Sequence, residues 1–428
     1  MTGSRATFGL VLAGGGARGA YQVGVIRYLR EGLPEPARSR VSFDVIAGCS
    51  VGAINGTFIA ASADRAAEQG RLLQACWDDL RGIDLYHIGL RTLRNLPVWL
   101  LGAKLDEQTG APERASLLNV APLERVVRDR FPWDRIEQNF KAGLVSALAV
   151  TATDVASGRS FVFVQTPDGT IPVWAKDPRR VGVPAKIGPE HALASASIPL
   201  LFPPVAIDGR YFCDGGLRQV TPLSPALRLG AERSLVVSLR YVPDPVEEGS
   251  YQHQSLQAFP GAVFLLSKVL NSLLLDQLDD DLHNLELINS ILDSGVQAYG
   301  PDFVGHLNAA VTRVRGLPYR RARTLVLRPS KDLGLMAARR AAKVRLSGAV
   351  RGLLSLGLKL AAPADQRAEG DVLSYLMFDP GYIDELVQLG YEDAAARRDE
   401  LVEFYSRDED DRLPEPLRLQ EPWAPAAG

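Results

Sequence analysis

The chain has 428 residues, of which 46% are hydrophobic and 23% charged, with a formal net charge of −2 and three cysteines, Cys49, Cys76 and Cys213. That length exceeds one ordinary single-core domain, so a globular core carrying a sizeable insertion or appendage is expected. A balance this close to neutral argues against a nucleic-acid partner, and three cysteines without ligand spacing provide neither a disulfide framework nor a metal site.

Residues 7–12 form an apolar run ending in glycines, as a buried parallel strand does. Arg5 and the run after it faintly imitate a secretory leader, but the run is short and leads directly into a glycine loop and a helical pattern. From Arg18 to Glu31 the spacing predicts a helix, with Tyr21, Val25, Tyr28 and Leu29 on one face. Phe43 to Ala47 reads as a second short strand, followed by Gly48-Cys49-Ser50-Val51-Gly52 and a helix from Ala53 to about Ala61. Strand, glycine turn and helix, twice within about sixty residues, imply parallel βα units.

A helix to about Leu80 follows, then an irregular stretch rich in Arg and Leu to about Asn119. Residues 144–153 and 160–164 read as strands joined at Ser157-Gly158. After Pro199, Pro203 and Pro204 come the runs 205–207 and 211–213, turned at Asp208-Gly209. Residues 235–239 and 324–327 read as further strands. Residues 258–298 and 365–406 carry helical spacing, and the Pro-rich end is expected to be a tail. The expected fold is α/β, a largely parallel sheet with helices on both faces. Its parts would be a core over 6–242, a helical insertion over 243–322, a last core strand within 323–334, a helical region over 335–410 and a tail over 411–428. No segment offers the roughly 18 uninterrupted apolar residues of a membrane span, so the expected location is cytoplasmic, at most on a membrane surface.

The Gly48–Gly52 segment is a G-x-S-x-G between a strand and a helix. A nucleophile on such a turn is lifted clear of the sheet, at a helix N-terminus whose dipole favours developing negative charge. Out of context the same letters would be an ordinary turn. Gly14-Gly15-Gly16-Ala17-Arg18-Gly19 satisfies G-x-G-x-x-G. A dinucleotide site would want an acidic residue closing the second strand, yet that strand runs into Gly48 and Asp44 stands at its start. No Lys-Ser or Lys-Thr follows the glycines as in a P-loop. Exposed backbone N–H groups beside a serine nucleophile suit an oxyanion hole. Five histidines are present (His87, His191, His253, His283, His306), none in a comparable setting. Asp214, at a strand end before Gly215-Gly216, can serve as base if a dry site raises its pKa. An Asp-Gly turn is the plainer alternative.

These three pieces together resemble the patatin-like phospholipase family, whose pattern is a G-G-G-x-[RK]-G loop, a G-x-S-x-G elbow and a D-G-[GA] motif in that order. Further similarity lies in Ala53-Ile54-Asn55, Ser195-Ala-Ser-Ile-Pro199 with Phe202-Pro-Pro204, and Pro222-Leu-Ser-Pro225. The resemblance covers about residues 6–242 and extends to the strand near 324–328. It implies the family's three-layer fold and a lipid acyl hydrolase with Ser50 as nucleophile and Asp214 as base, without cofactor, calcium or catalytic histidine. It also implies Gly14, Gly15 and Gly16 as oxyanion donors, braced by Arg18, and phospholipid or another lipid acyl ester as substrate. An acyltransferase on the same dyad, or an inactive lipid- or partner-binding protein, would fit the same fold; nothing fixes the oligomeric state.

From Leu333 to Ala364 there is no acidic residue, while Arg339, Arg340, Lys343, Arg345, Arg351 and Lys359 are basic. Residues 335–362 could form an interfacial helix for an anionic membrane surface. A core-packed helix with a solvated basic face explains the pattern equally, and Gly348, Gly352 and Gly357 weaken a rigid helix.

Overall fold

Phe8–Leu12 is buried at all five positions, and its side chains alternate between two cores, Leu10 and Leu12 on one side and Val11 on the other. This two-sided burial is why the strand reads as a continuous apolar run rather than an alternating one. The computed structural model describes residues 6–80, 120–172, 174, 180–199, 201–243, 278–343 and 366–406. The stretch 81–119, the tail 411–428 and most of the basic stretch (344–362) lie outside the described residues.

Among the described residues nine strands form one sheet, seven of them in the order β5 (Arg180–Pro184), β4 (Ser160–Gln165), β3 (Ala147–Asp154), β2 (Val45–Cys49), β1 (Phe8–Leu12), β8 (Arg233–Val237) and β9 (Arg323–Leu327). The hairpin of β6 (Val205–Ile207) and β7 (Arg210–Asp214) joins the end of β3. Pairing is parallel from β3 through β2, β1 and β8 to β9 and between β4 and β5. It is antiparallel at β3–β4, β3–β7 and β6–β7. The β6–β7 turn places Asp208 and Gly209 both at positive φ, 49° and 74°, the geometry of a two-residue hairpin that Asp-Gly favours.

Helices cover both faces. Ala20–Arg27, Val51–Ala61 and Pro380–Ala396 pack with Leu10, Leu12, Ile46 and Leu148 into the larger core. Leu223 and Ala226 of Leu223–Arg228 and Leu278 of Leu278–Tyr299 cover Val11, Val45, Ala47 and Val236 on the other side. Helix Pro380–Ala396 lies against Ala20–Arg27 so closely that a Cβ on Gly24 would stand 1.9 Å from the Val387 carbonyl oxygen. The described part of the basic stretch falls on helix Leu333–Lys343, which buries Leu333, Gly334 and Ala337 and ties Arg340 to Asp379 at 2.5 Å. Among the described residues no helix is long and apolar enough to cross a membrane.

Two expectations need adjusting. Strand β2 runs through Gly48 to Cys49, and its helix begins at Val51 rather than Ala53, because Ser50 itself makes the whole turn. Strand β5 was not foreseen; it is a five-residue edge strand, partly exposed and ending in proline, so it lacks an apolar signature.

Candidate active site

Ser50 sits at φ 53° and ψ −127°, between the end of β2 and helix Val51–Ala61. A non-glycine residue there carries roughly 1–3 kcal/mol of strain, which the surrounding contacts must hold. The turn is held because its flanks are glycines. A Cβ on Gly48 would lie 2.3 Å from the Gly52 carbonyl oxygen, and one on Gly52 would lie 2.2 Å from that of Leu12. The Ser50 N–H donates to Ser195 Oγ at 2.8 Å, and that hydroxyl donates to the Thr151 carbonyl at 2.6 Å, pinning the elbow to β3.

Sheet register brings the acid to the serine. Cys49 pairs with Thr151, and the next residue of β3, Ala152, pairs with Asp214 at the end of β7. Ser50 Oγ consequently donates to Asp214 Oδ2 at 2.6 Å. The other carboxylate oxygen accepts the Gly216 N–H at 2.7 Å. The Asp214 backbone is held as well, its N–H by the Ser197 carbonyl at 2.8 Å and its carbonyl by the Thr153 hydroxyl at 3.0 Å. Gly215 packs against β3 where a Cβ would stand 2.2 Å from the Thr151 carbonyl oxygen. Burial raises the Asp214 pKa from 3.8 to about 6, against the opposing pull of its bonds to Ser50 and Gly216. An acid so tuned is ionised, yet basic enough to take a proton, just above that pH.

The glycine loop follows β1, the neighbour of β2, and so lies beside the elbow; a Cβ on Gly14 would be 3.0 Å from that of Ser50. Of the three expected oxyanion donors, Gly14 is not free. Its N–H donates to the Val220 carbonyl at 3.0 Å, in the loop before helix Leu223–Arg228. Among the described residues the N–H groups of Gly15 and Gly16 meet no protein acceptor. Gly19 packs on Val51, which a Cβ would approach to 2.4 Å. Arg18 is buried and turns its guanidinium away from Ser50, to the helix Gln366–Leu376.

Beside Ser50 and Gly16 opens a narrow cavity with an almost wholly apolar wall. Val51, Ile54, Leu73, Trp77, Val126, Phe131, Phe202 and Phe378 contribute to it. A buried polar chain runs beneath. Gln22 Nε2 donates to the Ala13 carbonyl at 2.8 Å, Asn55 Nδ2 to Gln22 Oε1 at 2.8 Å, and Trp77 Nε1 to Asn55 Oδ1 at 2.9 Å. It links the start of the glycine loop to the cavity wall. Sequence reasoning missed this role for Asn55. The available signal was two polar side chains, Asn55 and Thr57, in an otherwise apolar helix buried at every position.

The three described histidines stand elsewhere. His191 accepts the Gly188 N–H and packs edge-on to Phe163, while His283 and His306 lie on helices Leu278–Tyr299 and Phe303–Arg315. His87 and His253 lie outside the described residues. Among the described residues no three His, Cys, Asp or Glu side chains cluster as a metal site.

A family model described as patatin-like phospholipase matches residues 10–227, half of the chain. An uncharacterized NTE family protein of Mycobacterium tuberculosis is 28% identical over 234 residues, 54% of this chain and 48% of that protein. Lysophospholipase nte1 of Aspergillus terreus is 50% identical over 64 residues, 15% of this chain and 4% of that protein. A patatin-like phospholipase domain-containing protein of Caenorhabditis elegans is 36% identical over 99 residues, 22% of this chain and 7% of that protein. The chain thus spans about half the length of the mycobacterial relative, and far less of the other two. Among solved structures, VipD from Legionella pneumophila gives a TM-score of 0.38 at 13% identity, covering 93% of this chain and 67% of that one.

Proposed function

Because the chain belongs to the patatin-like phospholipase family, we propose that it hydrolyses lipid acyl esters, with phospholipids as the substrate class, through a Ser50–Asp214 dyad. The observation that carries this reading is the 2.6 Å bond from Ser50 Oγ to a buried carboxylate whose pKa burial lifts to about 6. Above that pH, Asp214 takes the serine proton as Oγ attacks the ester carbonyl carbon. The carbonyl oxygen becomes negative beside Gly15 and Gly16, whose N–H groups stabilise it. Collapse breaks the ester C–O bond, and Asp214 returns its proton to the departing alcohol oxygen. Water then attacks the acyl-enzyme while Asp214 accepts its proton. The fatty acid leaves, and the proton returns to Ser50.

The apolar cavity suits one acyl chain, since its wall offers almost no polar partner. The name of the Aspergillus relative, a lysophospholipase, supports phospholipid over a water-soluble ester as substrate. The test is incubation with a mixed lipid extract, read by mass spectrometry. Wild-type protein should release free fatty acid from phospholipid, and Ser50→Ala should release none. Equal release by both proteins would overturn the assignment.

A further inference from the structure

Residues 371–378 lie far beyond the stretch matched by the family model, yet they meet the glycine loop. The Arg18 side chain, itself buried, spends its donors there. Nε bonds Ser374 Oγ at 2.7 Å, and Nη2 bonds both the Asp371 carbonyl at 3.2 Å and Asp371 Oδ1 at 3.1 Å. Nη1 lies 3.4 Å from the Tyr375 hydroxyl, and the guanidinium carbon lies 4.1 Å from the centre of the Tyr375 ring. Two residues earlier in the loop, Gly16 has φ +55°, and a Cβ there would stand 2.2 Å from the Tyr375 carbonyl oxygen. Helix and loop therefore touch backbone to backbone on one side of Arg18 and through charge on the other.

The helix rests on a firm base. Gly370 approaches Gly334 so closely that a Cβ would stand 2.5 Å from its carbonyl oxygen. Asp379 bonds Arg340 and caps the next helix through the Tyr382 N–H at 3.0 Å. Tyr382 in turn donates from its hydroxyl to the Leu333 carbonyl at 3.0 Å.

We propose that Asp371 and Ser374 are positioning residues which, acting through Arg18, hold the Gly14–Gly19 loop so that the N–H groups of Gly15 and Gly16 aim at the reacting carbonyl beside Ser50. The C-terminal helices are then a working part of the active site. The proposal rests on the dyad reading. Its energetic logic is that oxyanion donors act in the transition state, so misplacing them lowers kcat and leaves substrate binding alone. The buried charge of Arg18 also needs its partner, because a single unpaired buried cation would pull the loop toward water.

The experiment is a double-mutant cycle in the full chain on a short-chain ester, with kcat normalised to the fraction of protein titrated by a fluorophosphonate. That normalisation removes molecules that failed to fold. Asp371→Ala should lower kcat about ten-fold or more with KM within about two-fold. Asp371→Asn, which keeps an acceptor for Nη2, should recover part of the loss. In an Arg18→Ala background, Asp371→Ala should cost nothing further, since its route of action is gone. Full kcat in Asp371→Ala, losses that multiply in the double variant, or a loss carried by KM would each overturn the proposal. Ser50→Ala separates the two levels. If it stays active, the dyad reading fails; if it is dead while Asp371→Ala is fully active, only the positioning role fails.

Discussion

Replacing Asp214 by Asn should stabilise the protein at neutral pH, and the gain should disappear in acid. Folding raises the carboxyl pKa from 3.8 to about 6 because the group is buried. Below pH 3.8 it is protonated in both the folded and unfolded states and carries no penalty. Between 3.8 and 6 the unfolded chain releases its proton more readily, so stability falls as pH rises. Above 6 the folded protein holds a buried anion, and the full cost of about 2 pKa units, or about 3 kcal/mol, is present. Asparagine fits the same place, with its oxygen accepting the Gly216 N–H and its amide facing Ser50 Oγ. Denaturant unfolding of both proteins between pH 4 and pH 8 measures the difference, in which every other titrating group cancels. The variant should match the wild type near pH 4 and exceed it by up to about 3 kcal/mol at pH 8. A constant difference across that range, or a variant less stable at pH 8 than at pH 4 relative to the wild type, would refute the reasoning.

Filling the cavity should separate substrates by length. Ile54→Trp, whose side chain enters the apolar wall, should cut kcat/KM for long-chain esters about ten-fold or more while short-chain esters change only a few-fold. Asn55→Leu strands Gln22 Oε1 and Trp77 Nε1, and should cost about 2–4 kcal/mol in denaturant unfolding; an unchanged midpoint would remove the polar chain from the account. Hydrolysis should persist in excess EDTA, since the proton transfers are assigned to Ser50 and Asp214; a strict metal requirement would contradict them.

The elbow, the glycine loop and the Asp214 motif were legible because each is local: a few residues must make a sharp turn, and glycines mark where. The order of β1 and β2 was legible for the same reason, since both strands are buried on two faces. What escaped were contacts whose partners lie far apart in sequence. Ser195 holds the elbow from 145 residues away, so the Ser195–Pro199 block could be matched without revealing what its serine bonds. Arg18 reaches Ser374 across 356 residues, so the loop's arginine could be read as a brace without revealing what it braces against. Gly14 was indistinguishable by letter from Gly15 and Gly16; only the carbonyl of Val220, in the loop before helix Leu223–Arg228, sets its N–H apart. The apolar cavity wall likewise draws on Trp77, Phe131 and Phe378 from separate helices and turns.

The central claim, that Asp214 activates Ser50, is tested most directly by the pH dependence of fluorophosphonate labelling at Ser50. In the wild type the labelling rate should rise through an apparent pKa near 6 and then level off. In Asp214→Asn it should be slower by on the order of 10² and show no such inflection. Labelling of Asp214→Asn at the wild-type rate with the same inflection, or a wild-type inflection that disappears when His191 is replaced, would contradict the account.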